Sequence, residues 1–393
     1  MSYTSPVAIA AVSEMKPGRF PDMDGYDLYI EVIRQFLAEW SLKPTDIQGL
    51  LACPSGMAGG GSNDIFVHEQ LYEEMGIQPL FADTMNAGGS TYGLMVQRAA
   101  LAIQQGKVES VLCVGAGKFP KVSTGGAESM ARMVSHEIYE FPYGTFIPAL
   151  YAQVATRHMH EYGTTVEQLA EVCVSTREWA LLNPDASTYG SEALTVEKVR
   201  QSRPIASPFN LYDCSIPLEG GAAFLVCSEA YAKRLNKQPA YVLGMGEFHN
   251  HRNIHQAASL TDIGCSKSAQ QAYTMAGLSP SDIDFAEIYD AFSINPLVFM
   301  EELGLCPQGK GGEFFQSGAA RPGGDFPVNT FGGLLSFGHT GDASGMSMIV
   351  EGIRQIMGIA GERQLDKANA GIVHSYGGMM SEHSTLILGR SAS

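Results

Sequence analysis

The stretch from Gly88 to Gly117, GGSTYGLMVQRAALAIQQGKVESVLCVGAG, contains one full unit of the pattern that decides the fold. Small residues lead into a helical run from Ser90 to Gln105, which Gly106 closes, and the apolar segment SVLCVGAG follows. Apolar residues at helical spacing, followed by a short apolar run next to glycines, predict a helix and then a buried strand. A turn of small residues before a helix commonly holds a phosphate or a nucleophile.

The second half of the chain repeats this order. Residues 338–358, GHTGDASGMSMIVEGIRQIMG, give the turn and the helix, and NAGIVHSYGG (369–378) gives the strand. Upstream, residues 26–53 and residues 266–292 each contain a helical run, a Pro-x-Asp-Ile turn and an apolar strand. Helices that alternate with short apolar strands predict mostly parallel sheets covered on both faces. The sequence therefore predicts an α/β protein built from two equivalent halves, related by a pseudo-two-fold axis.

The predicted domains are an N-terminal half, residues 1–235, and a C-terminal half, residues 236–393. The first half carries an insertion at about residues 117–216, directly after the strand SVLCVGAG. An insertion at the carboxyl end of a parallel strand lies where α/β sheets bind ligands, so we expect it to cover a substrate. Its large apolar side chains suit a bulky acyl group, although such residues are also typical of a plain core. They are Met130, Met133, Tyr139, Phe141, Tyr143, Phe146, Tyr151 and Met159.

Composition limits the classes of function. The chain has 393 residues, 45% of them hydrophobic, and a formal net charge of -16, which argues against a nucleic-acid or anionic-membrane partner. No apolar run reaches the roughly 18 residues of a membrane span, and PVAIAAVSE near the N-terminus predicts a first strand rather than a signal peptide. Seven cysteines without CxxC spacing favour a reducing, cytoplasmic location and no metal site.

The glycine-rich segment Ser55–Asp64, SGMAGGGSND, is a weaker candidate for a phosphate-binding loop. It lacks the Gly-Lys-Ser/Thr ending of a P-loop and the Gly-x-Gly-x-x-Gly spacing of a dinucleotide site. A flexible connection is the interpretation that its composition favours.

Three motifs of the second half resemble the active-site loops of the thiolase superfamily. They are EIYDAF (Glu287–Phe292), NTFGGLLSFGHTGDASG (Asn329–Gly345) and the C-terminal HSYGGMMSEHSTLIL, and the Gly-His turn departs from the family pattern only at Asp342. The resemblance covers essentially the whole chain and is closest to the sterol-carrier-protein-type and lipid-transfer-protein-like members. It implies the thiolase fold, a duplicated five-layered αβαβα architecture with two mostly parallel sheets and a loop-domain insertion.

The resemblance also implies candidate site residues. His339 matches the histidine that deprotonates the nucleophile or the substrate in thiolases, and Tyr289 stands where the family has an asparagine. Ser375 falls near the second cysteine of the family, in its Cys-x-Gly-Gly turn. The acyl-accepting cysteine of the family falls on Gly89, so this turn has the position of the nucleophile without the nucleophile.

Glycine at position 89 cannot hold an acyl group, because that step needs a thiolate, which a helix N-terminus favours. We expect the missing side chain to leave space for a bulkier substrate or a water, so that Gly89→Cys fits sterically. Ser90 is either a helix cap or a substitute acyl acceptor. Several cysteines outside the motif loops are expected to be core or neutral positions. They are Cys53, Cys113, Cys214, Cys227 and Cys306.

Three more residues belong to the predicted site. His383 and His374 flank the last glycine turn, where each is either functional or a buried, hydrogen-bonded histidine. Asn329 is expected to order the loop under His339. Tyr289 is either a proton donor to a developing oxyanion or a core aromatic.

Three functions follow as alternatives. The first is an aldolase-type lyase that cleaves a bulky 3-hydroxyacyl-CoA, with His339 as base, Tyr289 as proton donor, and the backbone N–H groups of Gly89 and Gly377 as the oxyanion hole. The second is an acyltransferase of the Claisen-type thiolase class, like acetyl-CoA acetyltransferase, which the intact Gly-His turn favours. The third is a non-catalytic subunit that binds lipid or acyl-CoA.

Cofactors and partners are expected from the resemblance alone. It implies a coenzyme A thioester as the substrate, no covalently bound cofactor and a homodimer formed through edge strands of the first half. A small zinc-binding OB-fold partner protein is implied by the C-terminal strand pattern.

Overall fold

The structure is a computed structural model that describes residues 6–54, 65–119, 124–235 and 238–392. Ser55–Asp64, the segment interpreted as a flexible connection, lies outside the described residues. The strands of the described residues are β1 (Val7–Glu14), β2 (Gly49–Ala52), β3 (Phe81–Thr84), β4 (Ser110–Lys118), β5 (Pro204–Ala206), β6 (Phe209–Asn210), β7 (Glu219–Ser228), β8 (Ala240–His249), β9 (Phe285–Ile288), β10 (Ala370–Gly377) and β11 (Glu382–Gly389).

The helices follow the apolar periodicity of the sequence, and the run predicted from Ser90 to Gln105 forms one of them. In chain order the helices of the described residues are α1 (Gly25–Trp40), α2 (Val67–Glu74), α3 (Thr91–Gln104), α4 (Thr124–Val134), α5 (Ile147–Tyr162), α6 (Val166–Ala180), α7 (Val196–Gln201), α8 (Glu229–Arg234), α9 (Cys265–Ala276), α10 (Ile294–Glu302), α11 (Gly311–Gln316) and α12 (Gly345–Met357). None of these helices has the length and apolar character that crossing a membrane requires.

Both Pro-x-Asp-Ile motifs form the same local structure. Each is a 3₁₀ turn, Pro44–Asp46 in the first half and Pro280–Asp282 in the second. In each turn the aspartate side chain accepts a 2.8 Å hydrogen bond from the backbone N–H three residues earlier. Because proline fixes φ and the aspartate satisfies a free N–H, the motif leads the chain from a helix into the next strand in the same way twice.

The strand order repeats in mirror image across the main sheet. It runs β3-β2-β4-β7-β1 in the first half and continues β8-β11-β10-β9 in the second, and a parallel bridge from Ala286 to Val328 extends the far edge. In each half one strand, β7 or β11, runs opposite to the others. The halves join through β1 and β8, where Ala8 and Ile9 pair with Tyr241 and Ala240. The two predicted sheets are therefore each mostly parallel and touch along this short edge.

The helices lie in layers around these sheets. α1 packs on β1, β4 and β7 of the first half, and α9 packs on β8 and β11 of the second. α3 and α12, the helices of the repeated turn-helix-strand unit, contact each other and strands of both halves. This central helix layer between the two halves of the sheet, with outer helices on either side, confirms the α/β class. The boundary at residue 235 stays a prediction.

Candidate active site

The repeated turns before α3 and α12 meet at the centre of the molecule. A Cβ added to Gly345 would lie 2.1 Å from the carbonyl oxygen of Gly89, and one added to Gly88, whose φ is +62°, would lie 2.8 Å from the Cα of Gly377. These backbones can approach so closely only because they carry no side chains. The end of β10 thus lies against the start of α3.

Tyr289, the first residue after β9, fills the space beside Gly89. A Cβ added to Gly89 would lie 2.4 Å from the Cε2 of Tyr289 and 2.4 Å from the backbone oxygen of Tyr376. The expectation that Gly89→Cys fits is therefore wrong. The missing side chain leaves no gap for water or substrate at this point, because a tyrosine ring occupies it.

The hydroxyl of Tyr289 joins three side chains in one buried cluster. It lies 2.9 Å from Nε2 of His339 and 2.7 Å from Oγ of Ser344, while that Oγ lies 3.4 Å from the same Nε2. The Ser344 hydroxyl also donates to the carbonyl oxygen of Gly341 at 2.8 Å. The ring of Phe119 packs edge-on against the imidazole, with 5.3 Å between centroids.

The partners of the cluster define its proton arrangement. The backbone N–H of Gly341 donates to Nδ1 of His339 at 3.2 Å, so the neutral imidazole carries its proton on Nε2. Nε2–H then donates to the Tyr289 oxygen, and the Tyr289 hydroxyl donates to Ser344. In this resting arrangement His339 is a hydrogen-bond donor towards Tyr289.

Burial keeps the cluster uncharged. Desolvation lowers the pKa of His339 to about 4, so the imidazole is neutral at pH 7. Desolvation also raises the pKa of Tyr289 above its usual value of 10, although the bond to Ser344 opposes this. A proton can therefore move from the tyrosine to the imidazole or back. Because burial disfavours the charged form of each group, neither charge persists.

A cavity of about 920 Å³ opens onto this cluster. Its floor contains Gly89, Tyr289, His339 and Gly377. Helix and loop residues of the insertion form much of the wall. Pockets of this size and apolar character are typical of sites for small organic ligands.

The apolar residues proposed for the acyl group divide into two sets. Met130, Met133, Phe146 and Tyr151 line the cavity. The others do not line it: Tyr139 and Tyr143 are exposed, Phe141 packs under the guanidinium of Arg132, and Met159 packs on the core.

Ser375 and His383 lie outside the cavity lining, contrary to the predicted roles. Ser375 is buried within β10 and pairs with Ser384 of β11. Nε2 of His383 donates to the backbone oxygen of Ile263 at 3.0 Å, and its ring stacks on His374, with 5.5 Å between centroids. Burial lowers the pKa of both imidazoles. They are the buried, hydrogen-bonded histidines that the sequence left open as the alternative.

Ser90 and Asn329 support backbone instead of facing the cavity. The Ser90 hydroxyl donates to the carbonyl oxygen of Ala87 at 2.7 Å, so it caps no helix N–H and is not directed at a substrate. Oδ1 of Asn329 accepts from the backbone N–H of Ile288 at 2.6 Å. Asn329 therefore fixes the end of β9, just before Tyr289, and not the turn of His339 as predicted.

Sequence reasoning missed Ser344 and Asp342 as site residues. Ser344 follows His339 by five positions in GHTGDASG, and the 3₁₀ turn Gly341–Ala343 between them brings its hydroxyl back to 3.4 Å from the imidazole Nε2. Asp342, noted only as a departure from the family pattern, lines the cavity.

Cys214, predicted to be a core or neutral position, packs on the core and also lines the cavity. Its thiol donates to the carbonyl oxygen of Asn210 at 3.6 Å, and burial raises its pKa to about 12. A thiol with this pKa is a poor nucleophile at neutral pH. Among the described residues, no group of three or more His, Cys, Asp or Glu side chains could hold a metal ion.

Comparisons with known proteins agree with this geometry. The family described as Thiolase C-terminal domain-like matches residues 246–390. A relative named acetyl-CoA acetyltransferase, from Methanothermobacter thermautotrophicus, is 32% identical over 95% of this chain and 96% of its own length. The benzoylsuccinyl-CoA thiolase subunit BbsB of Thauera aromatica is 31% identical over 91% of this chain and 90% of its own.

A solved structure is similar over the whole chain. The protein in a structure titled Ltp2-ChsH2(DUF35) aldolase is 30% identical, covers 99% of both chains and superposes with a TM-score of 0.84.

Proposed function

Because the chain belongs to the thiolase superfamily, we propose that it cleaves a bulky 3-hydroxyacyl-CoA by a retro-aldol reaction, without a cysteine acyl-enzyme. The coarser conclusion, a thiolase-like enzyme acting on acyl-CoA thioesters, follows from its relatives. The observation that supports the finer proposal is the ring of Tyr289, which fills the space beside Gly89 and hydrogen-bonds to His339.

The reaction needs one proton to leave and one to be delivered. The β-hydroxyl of the substrate gives its proton to a base, and the bond between the α and β carbons breaks. Its electron pair moves into the thioester as an enolate, and the β carbon leaves as an aldehyde or ketone. Protonation of the α carbon then gives the shorter acyl-CoA. No step needs covalent attachment to the protein, so a glycine at position 89 suffices.

His339 is the base in this proposal, and Tyr289 relays the proton to it. For Nε2 to accept, the imidazole proton must move to Nδ1, which gives up the 3.2 Å bond from the Gly341 N–H. Its loss leaves the buried Gly341 N–H without this acceptor, at a cost of about 1–3 kcal/mol. Burial disfavours the imidazolium, but the negative enolate beside it offsets that cost while it lasts. The proton then returns through Tyr289 to the α carbon.

The enolate oxygen needs donors that are in place before the reaction. We propose the backbone N–H groups of Gly89 and Gly377, since both glycines line the cavity and Gly377 lies against Gly88, the residue next to Gly89. The N-terminus of α3 adds a favourable partial positive charge at this point.

The test is product release from 3-hydroxyacyl-CoA esters with branched or aromatic β substituents. The wild-type protein should release an aldehyde or ketone together with a shorter acyl-CoA, and His339→Gln should reduce kcat at least about 100-fold, the range of a lost general base. Thr340→Ser, next in the same turn, is the control and should keep activity. If no ester of the series yields a carbonyl product, the proposal is rejected.

Acyl transfer is the second candidate, favoured by the intact Gly-His turn. In this reaction coenzyme A cleaves a 3-ketoacyl-CoA, either by attacking it directly or after a serine or cysteine of the protein has accepted the acyl group. Thiolysis of 3-ketoacyl-CoA that is faster than cleavage of the matching 3-hydroxyacyl-CoA would favour it. A non-catalytic subunit, the third alternative, predicts that His339→Gln changes neither turnover nor acyl-CoA affinity.

Two assembly proposals accompany this function. A homodimer would form through β3, which lies at one edge of the main sheet and is preceded by Leu80, 66% exposed. Relatives named as a complex and as a subunit support a partner protein, for which we propose the small zinc-binding OB-fold protein. Light scattering of the purified chain tests the first proposal, since a monomer at micromolar concentration would contradict the homodimer. Pull-down of such a protein, co-expressed with the chain, tests the second.

A further inference from the structure

Two arginines line the cavity without an acidic partner. Arg177, on α6, is 6% exposed, and Arg203, in the loop before β5, is exposed. Among the described residues no carboxylate lies within 4.0 Å of either guanidinium. Acidic residues outnumber basic ones in this chain, whose formal net charge is -16, so two arginines without an acidic partner are unexpected.

The groups that do contact Arg177 are uncharged. Its Nε donates to Oγ of Ser336 at 3.3 Å, and Nη1 donates to the backbone oxygen of Glu192 at 3.0 Å. The carboxylate of Glu192 is directed away, to Lys198 at 2.7 Å. A buried cation without an anion is costly, and burial here lowers the pKa of the Arg177 guanidinium. A bound anion would remove that cost.

The position of Arg177 indicates where such an anion would lie. Ser336, its side-chain partner, is three residues from His339, and three residues of chain span at most about 11 Å. The phosphates of coenzyme A are separated from the thioester sulfur by the whole pantetheine arm. An anion held by Arg177 is therefore closer to the reacting carbons than the phosphates are, which favours a group on the acyl chain.

We propose that the acyl group carries a carboxylate in addition to its thioester, and that Arg177 binds this carboxylate, assisted by Arg203. The inference rests on the proposed function in one respect, that the same cavity holds an acyl-CoA. A guanidinium matches a carboxylate with two parallel hydrogen bonds, and such a pair is strongest where water is excluded. Arg177 is thus a specificity-determining residue that selects dicarboxylic acyl-CoA esters.

The test is calorimetric binding of three matched pairs of esters to the intact protein. The pairs are succinyl-CoA with butyryl-CoA, glutaryl-CoA with valeryl-CoA, and adipyl-CoA with hexanoyl-CoA, which differ only by a carboxylate in place of a methyl group. Wild type should bind the dicarboxylic member of at least one pair about 10- to 100-fold more tightly, as expected for hydrogen bonds to a charged group. Binding needs no turnover, so this result is independent of whether the lyase reaction occurs.

The variants separate an acyl carboxylate from a phosphate as the anion. Arg177→Gln should reduce the preference to less than about threefold without changing the affinity for free coenzyme A. Arg177→Lys should restore part of it, and Arg34→Gln, an exposed arginine on α1, should leave it intact. If Arg177→Gln does not fold, Arg203→Gln should lower the preference by a smaller factor. Equal binding within every pair by wild type overturns the proposal, as does an equal loss for both members and for coenzyme A in Arg177→Gln.

Discussion

Adding one methyl group at position 89 is the sharpest test of the packing between Gly89 and Tyr289. In Gly89→Ala the new Cβ lies 2.4 Å from the ring of Tyr289 and 2.4 Å from the backbone oxygen of Tyr376, about 1 Å closer than an ordinary contact. The ring can turn away, but the backbone oxygen cannot move without distorting β10. Overpacking of this kind costs about 1–3 kcal/mol of unfolding free energy. A hydroxyl of Tyr289 displaced by about 1 Å loses its bonds to His339 and Ser344, which should lower kcat/KM about 100-fold.

Urea unfolding and steady-state kinetics on the same samples check both effects. Gly18→Ala is the matched control, since its added Cβ would lie 3.5 Å from the nearest atom, and it should behave as wild type. Tyr289→Leu should make Gly89→Ala less costly, because part of the clash is then absent. If Gly89→Ala is as stable and active as wild type, the ring does not fill this position and the reasoning fails.

Three further perturbations address the chemistry of the cluster. Burial holds the pKa of His339 near 4, below the value of about 6.5 in an unfolded chain, so its neutral form stabilises the fold at pH 7 and this contribution is lost as pH falls from about 6.5 to 4. The pH profile of kcat/KM should accordingly be flat down to about pH 5, and an acidic limb at pH 6.5 would contradict the assignment. Ser344→Ala removes the acceptor of the Tyr289 hydroxyl and should lower kcat about 10-fold or more, with Ser347→Ala in the first turn of α12 as the comparison. Cys214→Ser should keep at least half of the activity, whereas its loss would make this thiol the nucleophile.

The sequence predicts the fold well because both patterns that indicate it involve residues close together in the chain. Apolar periodicity places helices and strands, and the Pro-x-Asp-Ile turn occurs twice with the same hydrogen bond. Repetition of the whole pattern then determines the layered arrangement. The short contact between β1 and β8 could not be predicted in the same way, because it depends on how the two halves pack and not on either half alone.

The site is predicted less completely, for reasons of packing. His339 and Tyr289 are adjacent, as expected, but the fit of the Tyr289 ring against Gly89 depends on residues 200 positions apart whose distance no local pattern gives. The position of Ser375 near the Cys-x-Gly-Gly turn predicts a role in the site. Side chains alternate between the two faces along β10, however, and it is Tyr376 that lines the cavity. His383 sits beside a glycine turn in sequence, but its ring bonds to the backbone of Ile263.

The most direct test of carbon–carbon cleavage without an acyl-enzyme is the intact mass of the protein during turnover. The enzyme is acid-quenched while it consumes a 3-hydroxyacyl-CoA, and the protein mass and the released carbonyl compound are measured in the same sample. The account predicts an unmodified mass of the 393-residue chain together with a released aldehyde or ketone. A mass increased by an acyl group, with the adduct on Cys214, Ser90 or another residue of the cavity, would contradict it.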